Sequence, residues 1–152
     1  MIVSRDDLLA RVAVHRADGQ SIALANGVFD LLHVGHLRYL QGAAQEADVL
    51  VVAVNDDAAV RQLKGADRPI VGEAERAELV DAIRGVDYVV VFDELNVGPL
   101  LEALRPDVHC KGTDYTVETV PERAIVQAYG GRTAIVGDPK HHSTRDIVAR
   151  LT

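Results

Sequence analysis

The sequence predicts an α/β fold in which helices cover both faces of one doubly wound, five-stranded parallel sheet. Apolar runs of strand length alternate with helix-like segments along all 152 residues, and such alternation is typical of parallel strands joined by right-handed crossovers. The chain is 48% hydrophobic but only 4% aromatic, so small aliphatic side chains dominate its apolar content. A core of that kind suits buried parallel strands that are covered by helices.

The first third of the chain supplies two predicted helices and two predicted strands. Ser4 can cap a leading helix over 4–16, in which apolar residues recur with helical spacing. The short apolar run 22–25 is the first strand, and a second helix runs through 37–44 after an Asn-Gly pair. Residues 48–54 (DVLVVAV) form a continuous apolar run between polar residues, which indicates a central parallel strand.

The middle of the chain continues the alternation. A short helix over 56–63 leads into a loop over 64–71, and a longer helix follows over 73–83. The run VDYVVVF at 86–92 predicts the third strand, because it is short, apolar and rich in valine. The next helix, at 98–104, stops before an Arg-Pro pair, since the residue before a proline disfavours helical backbone.

The last third of the chain supplies the remaining two strands. Residues 108–111 are a short strand followed by a glycine, and residues 133–136 are the fifth strand. Between them, a helix over 120–129 ends at a Gly-Gly pair, which is a strong C-terminal signal for a helix. The final helix is predicted over 143–151.

Four predicted loops follow strands directly and should therefore lie at the same edge of the sheet. In doubly wound sheets, ligands bind beyond the carboxyl ends of the strands. The loops that meet this condition are 26–36, 55–65, 111–114 and 137–144. We expect these four loops to converge on one edge of the sheet, where a ligand would bind.

Composition and charge limit the class of protein. The net charge is -7 and no basic run is visible, which argues against a nucleic-acid partner. No apolar run approaches the roughly 20 residues needed to cross a bilayer, and the acidic N-terminal segment lacks the apolar core of a signal peptide. The single cysteine, Cys110, excludes an internal disulfide. We expect one cytoplasmic, Rossmann-like domain over 1–152, with its leading helix inside 1–20 and no membrane partner.

The segment NGVFDLLHVGH at 26–36 lies between the first strand and the second helix. His33 and His36 are three residues apart, so near a helix start they fall on the same side. Gly35 between them has no Cβ and lets a bulky ligand approach. The start of a helix adds backbone N–H groups and the positive end of the helix dipole. Together these features predict a cluster of hydrogen-bond donors that suits a triphosphate.

Two other interpretations of this segment stay open. H-x-G-H alone is a short motif, and it can be a plain strand-to-helix turn with two solvated histidines. Alternatively, Asp30, His33 and His36 can hold a metal, since two histidines and one carboxylate form a common ligand set. Asp30 can equally cap the helix, orient a histidine or bind magnesium through water. Phosphate binding is favoured over a metal site because further phosphate-handling residues follow along the chain.

Several further motifs follow in order. They are VAVNDDAAVRQLKGADRPIV at 52–71, AERAELVDAIRGVDYVVVFDE at 74–94, RPDVHCKGTDY at 105–115, and the helix start at Ser143 and Thr144. Together with NGVFDLLHVGH, these motifs resemble the H-x-G-H, or cytidylyltransferase-like, superfamily from about residue 22 to the C-terminus. Within that superfamily the chain is most similar to the adenylyltransferase domain that makes ADP-heptose from D-glycero-β-D-manno-heptose 1-phosphate. Many relatives carry a fused sugar kinase, for which 152 residues leave no room, so we expect a stand-alone form.

The resemblance implies roles for individual residues. His33, His36 and Lys64 would be the catalytic residues. The residues implied in nucleotide binding are Asn26, Gly27, Val28, Phe29, His33, Gly35, His36, Lys64, Lys111, Ser143 and Thr144. The residues implied in binding the sugar phosphate are Asp30, Arg76, Gly112, Asp114 and Arg145. Mg²⁺ would bridge the phosphates of ATP, and no protein ligand to it is directly predicted.

Several of these residues also have ordinary structural explanations. Lys64 can be an exposed lysine at a helix C-terminus, where it suits the helix dipole. Arg76 can be the surface partner of an acid one turn away. Glycine and aspartate favour turns, which accounts for Gly112 and Asp114, and Ser143 fits a helix N-cap.

Two departures from the patterns of the family bear on the substrate. Residues 141–145 read HHSTR where relatives commonly read G-x-S-T-T, so the path of this loop and the role of Arg145 stay open. The chain also lacks the R-T-x-G-I-S-T stretch of glycerol-phosphate and choline-phosphate cytidylyltransferases, which favours ATP over CTP.

The resemblance as a whole implies an enzyme that transfers an adenylyl group from ATP to heptose 1-phosphate. Its products would be pyrophosphate and ADP-heptose, for the synthesis of a lipopolysaccharide core or surface polysaccharide, and relatives suggest a homo-oligomer. One alternative is a CTP-dependent cytidylyltransferase that acts on glycerol 3-phosphate or a related alcohol phosphate. The other is a nucleotide-binding module without turnover.

Overall fold

Five parallel strands form one sheet in the spatial order β3-β2-β1-β4-β5. The computed structural model describes residues 1–138 and 144–151. The strands are β1 (Ile22–Gly27), β2 (Val49–Asn55), β3 (Tyr88–Phe92), β4 (Val108–Lys111) and β5 (Arg132–Ile135). The predicted parallel α/β sheet is therefore confirmed, and each strand lies within two residues of its predicted bounds.

Helices cover both faces of this sheet. The helices on one face are α1 (Arg5–Ala17), α5 (Gly98–Leu104) and α6 (Arg123–Ala128). The helices on the other face are α2 (Val34–Ala44) and α4 (Glu73–Asp81). The chain also forms α3 (Asp57–Lys64), α7 (Thr144–Leu151) and a 3-10 turn at Val117–Thr119. Within the described ranges, no helix is both long and apolar enough to cross a membrane.

Alternation along the strands divides the core into two layers. Leu24 of β1 belongs to the same cluster as Leu8 of α1 and Leu101 of α5, whereas its neighbour Ala25 belongs to the opposite cluster with Leu40 of α2. Successive side chains of a strand point to opposite faces of the sheet, so each face contributes one layer. All seven residues of β2 are buried, because neighbouring strands flank β2 and helices cover both of its faces.

The predicted helix over 120–129 differs most from its observed form. The structure has the 3-10 turn at Val117–Thr119 and then α6, which begins only at Arg123. Val120 has an extended backbone, with φ -68° and ψ 120°. It precedes Pro121, whose ring disfavours helical backbone in the residue before it. The helix therefore starts after the proline rather than before it.

The order of the strands creates a crevice between β1 and β4. From β1 the sheet grows outward through β2 and β3, and the chain then crosses to the other side of β1 for β4 and β5. The pairing of β1 with β4 runs from Ala23 and Val108 to Ala25 and Cys110. Doubly wound sheets bind ligands at such a switch point, outside the carboxyl ends of the strands. The loops after β1 and β4 therefore face one another across it.

Candidate active site

The turn after β1 has a strained backbone around a buried carboxylate. Phe29 and Leu31 both have positive φ, at 53° and 51°, a conformation that costs a non-glycine residue about 1–2 kcal/mol. Asp30 lies between them and is 1% exposed. Its carboxylate accepts hydrogen bonds from the backbone N–H groups of Ile70 and Val71, each at 2.9 Å. These bonds hold the turn in its strained form.

Arg68 also binds the carboxylate of Asp30. The Arg68 Nε donates to Asp30 Oδ2 at 2.9 Å. Burial raises the pKa of the Asp30 carboxyl, but the hydrogen bonds from Ile70, Val71 and Arg68 outweigh burial and hold that pKa below its ordinary value. Asp30 is thus an anion that ties the turn after β1 to residues 68–71.

Two histidines cap the start of α2 reciprocally. His33 is the N-cap, and its Nδ1 accepts a hydrogen bond from the Gly35 N–H at 3.1 Å. The His33 N–H in turn donates to His36 Nδ1 at 3.2 Å. The two rings stack with centroids 3.9 Å apart. Because each Nδ1 accepts a hydrogen bond, a neutral ring carries its proton on Nε2. The three-residue spacing therefore caps the helix and makes Nε2–H the donor of both rings.

A cavity of about 210 Å³, here called the inner cavity, lies at the ends of β1, β4 and β5 beside the start of α2. Phe29, Tyr39 and Val136 give it an apolar wall, in which the two aromatic rings stack with centroids 6.4 Å apart. Its remaining lining residues are Asn26, Gly27, Val28, His33, Gly35, His36, Arg38, Lys111, Gly112, Thr113, Asp114, Tyr115, Gly137 and Asp138.

The loops after β4 and β5 are joined to each other and to α2. Thr113 Oγ1 donates to the Asp138 carbonyl at 2.8 Å, and the Asp138 carboxylate pairs with Arg38 at 2.7 Å. These contacts close one wall of the inner cavity.

A wider depression of about 1060 Å³, here called the outer groove, opens beside the inner cavity. His33 and His36 line both spaces. Lys64 of α3, Arg68 and Lys111 of β4 bring three cationic side chains to the outer groove. In a chain with a net charge of -7, this grouping concentrates positive charge where an anionic substrate would need it.

Asn26, near the end of β1, is held from two sides. Its Oδ1 lies 2.8 Å from His109 Nε2. Its backbone N–H donates to the Tyr39 hydroxyl at 3.3 Å, and that hydroxyl donates to the Cys110 carbonyl at 2.6 Å. Burial, with a smaller contribution from Lys111, lowers the pKa of His109 to about 3. The ring is therefore neutral, and the tautomer with its proton on Nε2 donates to Asn26 Oδ1.

The sequence of this chain matches a known family over most of its length. Residues 24–149 match the profile of the cytidylyltransferase-like family. The chain belongs to this family. It is accordingly a nucleotidyltransferase, and the match includes the histidine pair and the loops after β1 and β4.

Proteins similar to this cytidylyltransferase-like chain include longer bacterial proteins. It is 47% identical over 150 residues to the bifunctional protein HldE of Geotalea uraniireducens (strain Rf4), which covers 99% of this chain and 31% of that protein. It is 48% identical over 149 residues to the bifunctional protein HldE of Koribacter versatilis (strain Ellin345), covering 98% of this chain and 31% of that protein. The chain thus spans about a third of the length of these relatives.

A solved structure shares the fold. The crystal structure of the lipopolysaccharide core biosynthesis protein from Thermoplasma volcanium GSS1 superimposes with a TM-score of 0.69. The two proteins are 26% identical, and the match covers 80% of this chain and 100% of that one.

The structure brings most of the predicted site residues of this cytidylyltransferase-like chain together. Those that line both the inner cavity and the outer groove are Asn26, Gly27, Val28, Phe29, His33, His36, Lys111 and Asp114. Gly35 and Gly112 line only the inner cavity, and Asp30 and Lys64 line only the outer groove. The predicted convergence of the loops after the strands is confirmed for the described residues. Ser143 and the side chains of Thr144 and Arg145 lie outside the described part of the chain.

Arg76 does not contact the groove, and we withdraw its assignment to the sugar phosphate. Its side chain is 0% exposed. Its guanidinium donates to the carbonyls of Val71, Val28 and Asn55, and to the Asp57 carboxylate, at 2.7–2.8 Å. Arg76 is therefore a structural residue that joins the turn after β1, the end of β2 and the start of α3.

The metal interpretation of Asp30, His33 and His36 is also corrected. Within 1–138 and 144–151, no group of three His, Cys, Asp or Glu side chains could hold a metal ion. The carboxylate of Asp30 is engaged by residues 68–71, and both Nδ1 atoms cap α2. Asp30 itself lines the outer groove, and its contact with the sugar phosphate stays a prediction. The two histidines are half-buried and stacked, so they are not the solvated pair of the other alternative.

Sequence reasoning missed Arg68, Tyr39 and His109. Arg68 lies in a loop, where sequence spacing does not indicate which side chains meet. Tyr39 has the helical spacing of an ordinary core aromatic residue, and His109 lies in a strand between apolar residues. The one available signal for Arg68 was its position three residues after Gly65, where the segment expected to reach the site ends.

Proposed function

We propose that this chain transfers the adenylyl group of ATP to D-glycero-β-D-manno-heptose 1-phosphate, giving ADP-heptose and pyrophosphate for lipopolysaccharide synthesis. The observation that carries the proposal is the stacked pair His33 and His36, which lines the same groove as Lys64, Arg68 and Lys111. The name of the solved relative, a lipopolysaccharide core biosynthesis protein, supports the pathway. The HldE relatives at 47% and 48% identity support the sugar substrate.

The reaction that this proposal requires is a direct substitution at phosphorus. An anionic oxygen of the sugar 1-phosphate attacks the α-phosphorus of ATP, in line with the bond to the bridging oxygen of the β-phosphate. The new P–O bond forms as that bond breaks, and pyrophosphate leaves with the electron pair. The attacking oxygen is already anionic, so no residue has to remove a proton. Mg²⁺ enters with the nucleotide as the substrate Mg·ATP.

The enzyme must therefore hold the sugar phosphate, the α-phosphate and the leaving pyrophosphate in line. It must also stabilise the negative charge that develops on the pyrophosphate. The Nε2–H donors of His33 and His36 would bond to phosphate oxygens at the α-phosphorus and the leaving pyrophosphate. A single well-placed donor of this kind contributes on the order of 3 kcal/mol to the transition state. Holding the two substrates in the attacking geometry contributes about 7–11 kcal/mol more.

The two spaces suggest how the substrates divide the site. The inner cavity is small, at about 210 Å³, and has aromatic and aliphatic walls, which suits a nucleotide base. The outer groove contains Lys64 and Arg68, which suits the phosphates of the nucleotide and of the sugar. Lys111 lines both spaces and is placed by this proposal between the two anionic substrates.

A pyrophosphate-release assay tests the proposal directly. The purified chain is given ATP, CTP or GTP, each with heptose 1-phosphate or glycerol 3-phosphate, in the presence of Mg²⁺. We expect turnover with ATP and heptose 1-phosphate and at least tenfold lower kcat/KM for every other pair. Preference for CTP with glycerol 3-phosphate would instead favour the cytidylyltransferase alternative. ATP binding without pyrophosphate release from any pair would favour a non-catalytic nucleotide-binding module.

A further inference from the structure

His109 is a buried polar residue with an apolar residue on either side of it in the strand. It lies on β4 between Val108 and Cys110, with 0% exposure. Its Nε2 lies 2.8 Å from Asn26 Oδ1, at the neighbouring strand β1. Its Nδ1 has no hydrogen-bond partner among the described residues. A buried polar atom without a partner destabilises a fold, so an aliphatic side chain would serve the core better at this position.

The bond from His109 decides which way the amide of Asn26 faces. The oxygen and the nitrogen of an asparagine amide occupy nearly equivalent positions, and only hydrogen bonds distinguish them. A neutral His109 that donates from Nε2 selects the oxygen, Oδ1, as its partner. The amide nitrogen, Nδ2, is then the atom that Asn26 presents to the two spaces it lines.

The backbone of Asn26 is fixed as well, from the opposite face of the sheet. The Tyr39 hydroxyl accepts from the Asn26 N–H at 3.3 Å and donates to the Cys110 carbonyl at 2.6 Å. The pairing of β1 and β4 ends at Ala25 and Cys110. The hydroxyl thus bridges the two strands where the crevice opens. With its main chain held by Tyr39 and its side chain held by His109, Asn26 has little freedom to turn.

We propose that His109 is a positioning residue, which holds the Asn26 amide with its Nδ2 donor toward the phosphates of the bound nucleotide. The inference rests on the proposed function only in the identity of the ligand, a nucleoside triphosphate. Asn26 is the residue that contacts this ligand, and His109 acts through Asn26 alone.

A double-mutant cycle tests this dependence. The four proteins are the wild type, Asn26→Ala, His109→Leu and the double variant, and kcat and KM are measured for each together with the melting temperature. We expect His109→Leu to lower kcat/KM for ATP at least tenfold without lowering the melting temperature. In the Asn26→Ala background, we expect His109→Leu to have no further effect. Losses that multiply in the double variant, or an unchanged kcat/KM in His109→Leu, would overturn the proposal.

His109→Gln is the conservative variant, because a glutamine Nε2 reaches about as far as a histidine Nε2 and can donate to Asn26 Oδ1. We expect it to recover most of the kcat/KM that His109→Leu loses, a result that a merely structural role would not produce. If His109→Leu does not fold, His109→Gln with near-wild-type kcat/KM supports the proposal. A folded His109→Gln as impaired as Asn26→Ala contradicts it.

Two readouts separate this inference from the proposed function. The affinity of all four proteins for Mg²⁺ with a non-hydrolysable ATP analogue gives the same cycle without turnover. If the binding affinities show the expected coupling between Asn26 and His109 but the wild type releases no pyrophosphate, the inference is supported and the proposed function is contradicted. A wild type without affinity for the analogue contradicts both the inference and the proposed function.

Nitrogen-detected histidine NMR of the unliganded wild type gives the tautomer of His109. A proton on Nδ1 instead of Nε2 would also overturn the inference.

Discussion

The histidine pair combines a structural and a chemical role in the same two rings. The Nδ1 atoms of His33 and His36 accept the hydrogen bonds that begin α2, and these bonds fix the proton of a neutral ring on Nε2. Sequence spacing predicted that both rings lie on one side of a helix start, because that follows from helix geometry. It did not predict the reciprocal cap, which depends on the rotamers of both side chains.

Replacing His33 with asparagine separates its two roles. Asparagine is a favourable N-cap, so we expect His33→Asn to retain the stability of the wild type, whereas His33→Ala loses about 0.5–2 kcal/mol. Neither variant has a donor at the position of Nε2. We therefore expect both to lower kcat on the order of 10²–10³-fold, as measured by pyrophosphate release. Near-normal turnover in His33→Asn would show that the ring serves only as a cap.

Arg76 shows why a charged residue in a helix is difficult to assign from sequence. Its neighbours in the chain suggest a surface ion pair, but its actual partners are carbonyls and a carboxylate contributed by three other segments. We expect Arg76→Met to lower the free energy of unfolding by about 3–5 kcal/mol, because removing a buried charged partner leaves its acceptors unsatisfied. Urea denaturation measures this, with Arg61→Met, an exposed arginine of α3, as the matched control. A loss below 1 kcal/mol would contradict the structural role.

At the scale of elements, the turn after β1 depends on an anion for its connection to residues 68–71. The carboxylate of Asp30 has a pKa below its ordinary value, since its hydrogen bonds from Ile70, Val71 and Arg68 outweigh burial. A carboxyl group whose pKa is lower in the folded state than in the unfolded state stabilises the fold at pH values above its unfolded pKa, which is about 3.9 for aspartate. This stabilisation is lost as the pH falls below that value and through the folded pKa.

We therefore expect Asp30→Asn to be less stable than the wild type at pH 7 and to approach it as the pH falls below 4. Chemical denaturation at pH values from 3 to 7 measures the difference. Asp67→Asn is the matched control, because Asp67 is an exposed carboxylate in the same loop, and it should differ little from the wild type at any pH. A difference for Asp30→Asn that stays constant down to pH 3 would contradict this account.

Helix α2 packs closely against the loop after β5 because Gly42 has no side chain at the point of contact. A Cβ on Gly42 would lie 3.1 Å from Val136 Cβ and 3.2 Å from the Gly137 backbone nitrogen. We expect Gly42→Ala to destabilise the fold by about 1–3 kcal/mol, although alanine is the better helix former by about 1 kcal/mol. Thermal unfolding measures this, with Gln41→Ala at the neighbouring exposed position as the control. A stabilised Gly42→Ala would show that the two elements can separate without cost.

The elements themselves were largely predictable, and the loops between them were not. The strands were found because a buried parallel strand reads as a continuous apolar run, as in β2, where all seven residues are buried. The predicted helix over 120–129 was wrong at its start, because it included Pro121 and ignored the restriction on Val120. Arg68 was missed because its role depends on a carboxylate 38 residues earlier, and no local period encodes such a contact.

At the scale of the whole molecule, the strand order places the site. The crossing from β3 to β4 puts the loops after β1 and β4 on either side of one crevice, and the inner cavity lies there. Alternation of strands and helices predicted that these loops would meet at one edge. It did not give the order of the strands, which depends on where each crossover returns to the sheet.

This architecture predicts where a bound nucleotide changes the dynamics of the molecule. A ligand in the crevice would contact the loops after β1 and β4 and thereby suppress their local opening. A ligand at 100 times its Kd stabilises the fold by about 2.7 kcal/mol. We expect Mg²⁺ with a non-hydrolysable ATP analogue to slow amide hydrogen exchange in 28–36 and 111–115. Exchange in the middle of α1 (Arg5–Ala17), where Leu8 and Val12 are buried in the core, should slow much less. His33→Asn should weaken the slowing of exchange in the two loops because it removes one hydrogen-bond donor to the phosphates. Strong slowing in α1 without slowing in either loop would show that the nucleotide binds elsewhere.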